Sequence, residues 1–316
     1  MNDMVKYMNC LQACIYSICK KRNIDDFLIF CCGWFFTFDA DKLLSQSLSI
    51  QLEDYNYIYF ERFYGITSDV FLFDENPDVT DRLQYLETKI RQSDDVLLRV
   101  SSHDCPWHKG FMKINIPHYV KLKNILYEKE VIVCEDPFFN LCDAYLPFTN
   151  FFNGCESFRI FQKKYSCKPV ECEEILSRLS NVNIGLLTKN IISFSNKLLC
   201  AQKKVDLFDY VEDIYCCNNV RALKFIADSR YGLCYSFEKL SKLSKTNKIP
   251  LLEIANQFNM ISSLYLKINN YYMKLFYRDY DLHVKINNMR DKLLRIVEIE
   301  NEIYLKLKLI RNVTVK

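Results

Sequence analysis

Strand signals in this 316-residue chain are crowded into one stretch. Val96 to Val100 is a short apolar run. Tyr119 to Ile125 and Val131 to Cys134 are β-rich runs joined by a polar Tyr-Glu-Lys-Glu segment, a hairpin signature. Ser157 to Phe161 offers a further strand. From about residue 165 strand signals nearly vanish, and helical stretches follow at 171–180, 183–203, 206–229, 231–245, 250–278 and 280–310. This change of texture predicts an α+β fold with its boundary near Lys164. Residues 1–164 form a domain with an antiparallel sheet, and residues 165–316 form an all-α helical bundle. Ahead of the strands, residues 10–22 read as a helix, with Leu11, Cys14, Ile15, Ile18 and Cys19 on one apolar face and Asn9 as N-cap. Residues 77–92 read as another helix. Phe27 to Phe38 is a second short apolar block, and residues 50–75 are ambiguous between strand and helix.

Composition removes several classes of function. There are 6 Gly, and neither G-x-G-x-x-G nor G-x-x-x-x-G-K-[ST] occurs, so dinucleotide and P-loop readings have no fingerprint. A net charge of +3, from 42 basic and 39 acidic side chains, is too balanced for a nucleic-acid binder. No apolar run approaches the ~20 residues of a membrane span, and the first residues carry no apolar core of signal-peptide length. These features predict a cytoplasmic protein with no membrane partner. Its 15 Cys are then expected to be thiols, most of them small hydrophobes in the core.

With fifteen thiols and four His available, position selects among them. A reactive Cys needs its thiolate stabilised, and the unpaired N–H groups of a helix N-terminus do this. Cys10 stands in the first turn of the first helix. Cys14 and Cys19 lie deeper in the apolar stripe, where burial makes a thiol inert. His118 opens the first hairpin strand and Asp136 ends the second, so pairing brings the two together at the open end. A His oriented by an Asp can serve as base to a thiol. Cys10, His118 and Asp136 are therefore the expected catalytic residues.

The segments NCLQACIYSI, HYVKLKNI and VCEDPFF resemble the papain-like cysteine peptidase fold in its bacteriocin-processing branch. They are more similar still to the butirosin-type acyltransferase family, a member of which forms amide bonds in closthioamide assembly. The resemblance covers residues 5–162. It implies acyl transfer through a thioester, with Cys10 as nucleophile, His118 as base and Asp136 as its orienter. It implies no cofactor, because the acyl chain arrives on the phosphopantetheine of an acyl or peptidyl carrier protein, and the acceptor is a small amine such as a diamine. One departure stands out. Papain-like peptidases carry a Gln six residues before the Cys, donating to the oxyanion, and that position here is Met4. Asn9 and Gln12 are the alternatives by proximity. Losing one such donor costs about 10²–10³ in rate, which a thioester tolerates better than a peptide amide.

Asp104 and Trp107, in the loop SSHDCPWHKGF, and Trp34 join Asn9 and Gln12 as expected substrate-binding residues. The aromatics around Trp34 and Trp107 are read as cleft walls or, one by one, as ordinary core. His103, Asp104, Cys105 and His108 are metal-ligand types at an irregular spacing, and a polar substrate-binding loop is the better reading. Lys239, Lys242, Lys245 and Lys248 recur every three residues on one helix-like stretch, as a solvated face or a carrier-docking face. The last amphipathic helix fits bundle packing or the seam of a homodimer. Two other functions stay open: a cysteine peptidase or amidase with the same triad, and a non-catalytic interaction protein.

Overall fold

A computed structural model of the chain describes residues 8–31, 33–48, 58–73, 79–92, 94–164, 169–208, 213–244, 246–278 and 281–314. The fold is α+β, with a six-stranded antiparallel sheet in the N-terminal part and a helical C-terminal region. Two compact units share the chain. One takes residues 1–29 and 56–170, the other residues 30–55 and 171–316.

The first unit opens with α1 (Cys10–Arg22). Asn9 caps it: its side chain accepts from the Gln12 N–H at 2.9 Å, and the Gln12 side chain accepts from the Asn9 N–H at 3.1 Å. Asn23, at φ 53°, ends the helix in the left-handed region, with Lys20, Lys21 and Arg22 in the last turn where the dipole favours cations. The sheet runs β1 (Ile66–Leu72), β6 (Cys155–Lys163), β2 (Asp95–Ser101), β3 (Pro117–Leu126), β4 (Val131–Asp136), β5 (Leu141–Pro147), every neighbour antiparallel. The expected hairpin is present as β3 and β4.

Side chains from β2, β3, β4 and β6, among them Leu98, Val120, Ile132 and Ile160, form one buried core with Leu83 and Leu86 of α3 (Val79–Arg91) and Phe151 of α4 (Phe148–Gly154). Polar contacts tie α1 to the strands. Ser17 donates to Glu135 at 2.6 Å, Lys21 and Arg22 donate to buried Asp95, and the Cys14 thiol donates to the Tyr119 carbonyl at 3.3 Å. These contacts fix where Cys10 stands along β3. Among the described residues this unit also holds α2 (Ile58–Tyr64).

The second unit holds α5 (Cys172–Leu179), α6 (Ile184–Leu199), α7 (Asn218–Leu243), α8 (Lys248–Tyr277) and α9 (Leu282–Thr314). Residues 30–55 were expected with the sheet domain; they belong here instead. The reason is a fully buried ion pair. Arg230 of α7 donates to Glu300 of α9 at 2.8 Å, and to the carbonyls of Gly33 and Phe35 at 2.9 and 3.0 Å. The Trp34 indole N–H donates to the other Glu300 oxygen. A buried guanidinium needs acceptors, and the 33–35 backbone supplies two beyond Glu300, one for each terminal nitrogen.

The same residues explain a second difference. Helices were expected at 206–229 and 231–245, whereas α7 runs unbroken from Asn218 and is preceded by short 3₁₀ turns. Gly232 does not break it, because a Cβ there would lie 2.1 Å from the Phe30 ring; the glycine admits that ring to the helix. A third difference concerns the lysines. Lys239 and Lys242 lie on α7 and Lys248 opens α8, so they do not share one helix; Lys245 lies outside the described residues. Among the described residues no helix is long and apolar enough to cross a membrane.

Candidate active site

Cys10 is the first residue of α1 and is almost fully buried. An α-helix leaves its first N–H groups without intrahelical acceptors. Asn9 Oδ1 takes that of Gln12, and the Asn9 carbonyl accepts the first intrahelical bond, from Ala13. The N–H groups of Cys10 and Leu11 come earlier in that first turn.

His118 is the second residue of β3, and Asp136 is the last residue of β4. Antiparallel pairing sets the start of one strand beside the end of the next, and the register of the two carries through to Lys121 and Glu135. His118 Nε2 lies 2.7 Å from Asp136 Oδ2, and the pair is 2% and 0% exposed. An ionised carboxylate only accepts, so this nitrogen carries a proton. The Cys10 side chain stands near enough to the ring to raise its affinity for a proton. With Nε2 engaged by Asp136, Nδ1 is the nitrogen left to face sulfur.

Asp136 is fully provided with donors. The Trp107 indole N–H donates to Oδ2 at 2.7 Å, and the backbone N–H groups of Phe138 and Phe139 donate to Oδ1 at 3.1 and 3.3 Å. Burial alone would raise its carboxyl. The hydrogen bond and charge of His118, with the Trp107 and Phe139 donors, outweigh burial and hold it below the usual carboxylate range. Burial likewise opposes a charged His118. The hydrogen bonds and charges of Asp136 and Cys10 outweigh that and push the ring up to about 9.

Three rings surround that of His118, with the Phe138 centroid 6.1 Å away. The Phe139 centroid lies 5.6 Å away and that of His108 4.9 Å away. His108 Nδ1 accepts from the Gly110 N–H at 2.9 Å, which puts its own proton on Nε2. Burial and the nearby His118 charge lower His108 to about 4, so it is neutral where His118 is charged. Sequence reasoning had His108 only in a substrate-binding loop and did not place Phe138 or Phe139 in the site. The Phe-Phe pair directly after Asp136-Pro137 was the available signal.

The expected substrate residues divide. Asn9 sits beside Cys10 as the cap. Gln12 is buried with its carbonyl oxygen engaged by the Asn9 N–H. Trp107 reaches the site as a donor to Asp136. Asp104 packs against Gly154, with its carbonyl accepting from Asn150 at 3.1 Å. Trp34 is interior to the second unit, edge-on to Phe258 at 5.2 Å. Met4 lies outside the described residues. The cluster at 103–108 is split, since Cys105 enters the hydrophobic core while His108 lies against His118. Among the described residues no group of three or more His, Cys, Asp or Glu could hold a metal ion.

Such an arrangement can do thiol chemistry. A thiolate at Cys10 is compensated by the His118 imidazolium, whose other nitrogen is fixed by an ionised carboxylate. Neither the protein-family models nor the curated proteins compared with this chain match it.

Proposed function

We propose that this protein is a cysteine-nucleophile acyltransferase that forms amide bonds, with a papain-like arrangement in its sheet-bearing unit. One observation carries the reading. A cysteine at a helix start stands near enough to a histidine to raise its proton affinity, and that histidine's Nε2 lies 2.7 Å from a buried aspartate. In the proposed reaction the Cys10 thiolate attacks an acyl thioester delivered on the phosphopantetheine arm of a carrier protein. The new S–C bond forms as the pantetheine thiolate leaves, taking the proton held on His118. A primary amine, such as a small diamine, then attacks the acyl-Cys10 thioester. Neutral His118 removes the amine proton and returns it to sulfur as the amide departs. Asp136 keeps the imidazole in the required tautomer throughout.

Exclusion of water from the acyl-enzyme distinguishes transfer from hydrolysis, and the aromatic enclosure of His118 supports the former. The proposed setting is the reducing cytoplasm of a cell making a thiotemplated natural product, where Cys10 stays a thiol. The test is intact-mass analysis after incubation with an acyl-carrier thioester, with and without amine. The reading expects an acyl adduct that vanishes in Cys10→Ala and becomes amide only when amine is added. Free acid in equal yield with amine present would instead make the protein a hydrolase. Full turnover by His118→Ala would remove the base.

A further inference from the structure

Attack on any acyl carbon held at Cys10 creates an oxyanion beside the start of α1, and the site must meet it with N–H donors. The Cys10 backbone N–H is one, by its place in the first turn. The structure separates the two side chains that proximity left open. Gln12 is engaged in the capping box and buried. Asn9 is engaged on one side only. Its Oδ1 must be the atom facing the Gln12 N–H, since that group can only donate, and this fixes the orientation of the amide. The Asn9 Nδ2 is therefore turned away from the cap, shielded from water, and has no hydrogen-bond partner among the described residues. A buried amide donor without an acceptor is uncommon in folded proteins and marks a position where an acceptor belongs.

We infer that the side chain of Asn9 is the second oxyanion donor of this site, acting with the Cys10 N–H. It is a catalytic residue as well as a helix cap. As Sγ bonds to the acyl carbon, the carbonyl π pair moves onto oxygen. The Asn9 Nδ2–H and the Cys10 N–H hold that charge until the pair returns and the leaving group departs. This assignment rests on Cys10 being the nucleophile of the proposed function; it does not depend on the acyl donor or on the amine.

Two reactions at the same sulfur test it. Acylation by p-nitrophenyl acetate passes through an oxyanion and releases p-nitrophenolate. Alkylation by iodoacetamide displaces iodide at a saturated carbon and forms none. Asn9→Ser retains a side-chain oxygen for the cap, adds no charge and removes the amide N–H donor. It is expected to acylate Cys10 about 10²–10³ more slowly than the unaltered protein, with the alkylation rate unchanged within a few-fold. Equal slowing of both reactions would reduce Asn9 to a cap, and no slowing of acylation would overturn the assignment. Overturning it too would be an unaltered protein whose acylation, relative to alkylation, is no faster than that of a free thiol. Thermal melting of the variant reports separately on the cap. Should the acetate ester behave as expected while carrier thioesters give no adduct, the acyltransferase reading fails and the role of Asn9 stands.

Discussion

His118 Nε2 and Asp136 Oδ2 stand 2.7 Å apart because the first residues of β3 and the last of β4 share one end of the sheet. Eighteen residues of hairpin separate them in sequence, and strand pairing brings them together. The orientation of the imidazole is thus built into the register of the sheet.

Replacing Asp136 with Asn keeps the shape and removes the charge. The amide can present its N–H to the ring, which then favours the wrong tautomer. Turnover should fall by about 10⁴, the size of effect found where an orienting aspartate is amidated in a catalytic triad. Steady-state rates of acyl transfer would check this; a loss of less than tenfold would take the orienting role from Asp136.

Protonation of His118 links the site to stability. Its ordinary value is near 6.5 and the folded state raises it to about 9. A raised value stabilises fully below about pH 6.5, and the gain is lost as pH climbs through about 9. The difference corresponds to at most about 3 kcal/mol. Urea unfolding of the protein and of His118→Gln at several pH values should show their stability gap narrowing across that window. A gap constant from pH 6 to 10 would be the contrary result. Because Cys10 contributes to the shift, Cys10→Ala should lower the His118 value in an NMR titration.

Trp107 tests the support of Asp136. Trp107→Phe keeps most of the ring and removes the indole donor at 2.7 Å. A hydrogen bond to a charged group contributes roughly 1.5–3 kcal/mol. The variant should lose about that much stability and titrate the Asp136 carboxyl at higher pH. Unchanged stability together with an unchanged titration would show the bond to be dispensable.

Thiol reactivity should sort by environment. Burial first, then neighbouring negative charge, raises Cys14, Cys105, Cys134 and Cys155 above the ordinary thiol range. Peptide mapping after brief native alkylation should find Cys10 labelled and these four unlabelled until denaturant is added. Labelling of Cys14 at the rate of Cys10 would contradict the distinction.

In the second unit the pair Arg230 and Glu300 is 0% exposed on both sides. Arg230→Met leaves a carboxylate buried with, among the described residues, the Trp34 indole as its one donor, and should cost about 3–5 kcal/mol. A calorimetric melt would reveal it. A change under 1 kcal/mol would mean that Glu300 takes up a proton or that water reaches it.

Much of this was legible in the chain. Helix α1 announced itself through an Asn cap, apolar spacing and a basic last turn. The β3–β4 hairpin announced itself through two β-rich runs, and the three catalytic candidates followed from those elements. Strand β5 was not seen: its inward residues are Ala144 and Leu146, its neighbours include Asp143 and exposed Tyr145, and its turn depends on Asn140 at φ 57°. Such a strand is fixed by pairing with β4 more than by its own residues. Strand β1 stayed ambiguous because most of it faces solvent. The allegiance of residues 30–55 was hidden for another reason. It depends on Arg230 and Glu300, roughly two hundred or more residues away, and local periodicity carries no trace of such a partner.

That allegiance has a consequence for the order of synthesis. Trp34 leaves the ribosome 266 residues before the glutamate that accepts its indole proton. At 5–20 residues per second this is a wait on the order of tens of seconds. The sheet-bearing unit is complete in sequence at residue 170 and can close around its own core in that time. Its chain must meanwhile carry an aromatic loop, with Trp34 and Phe36 exposed, that has nowhere yet to go. Synthesis of α9, rather than completion of the sheet, is then the step that lets this loop be buried.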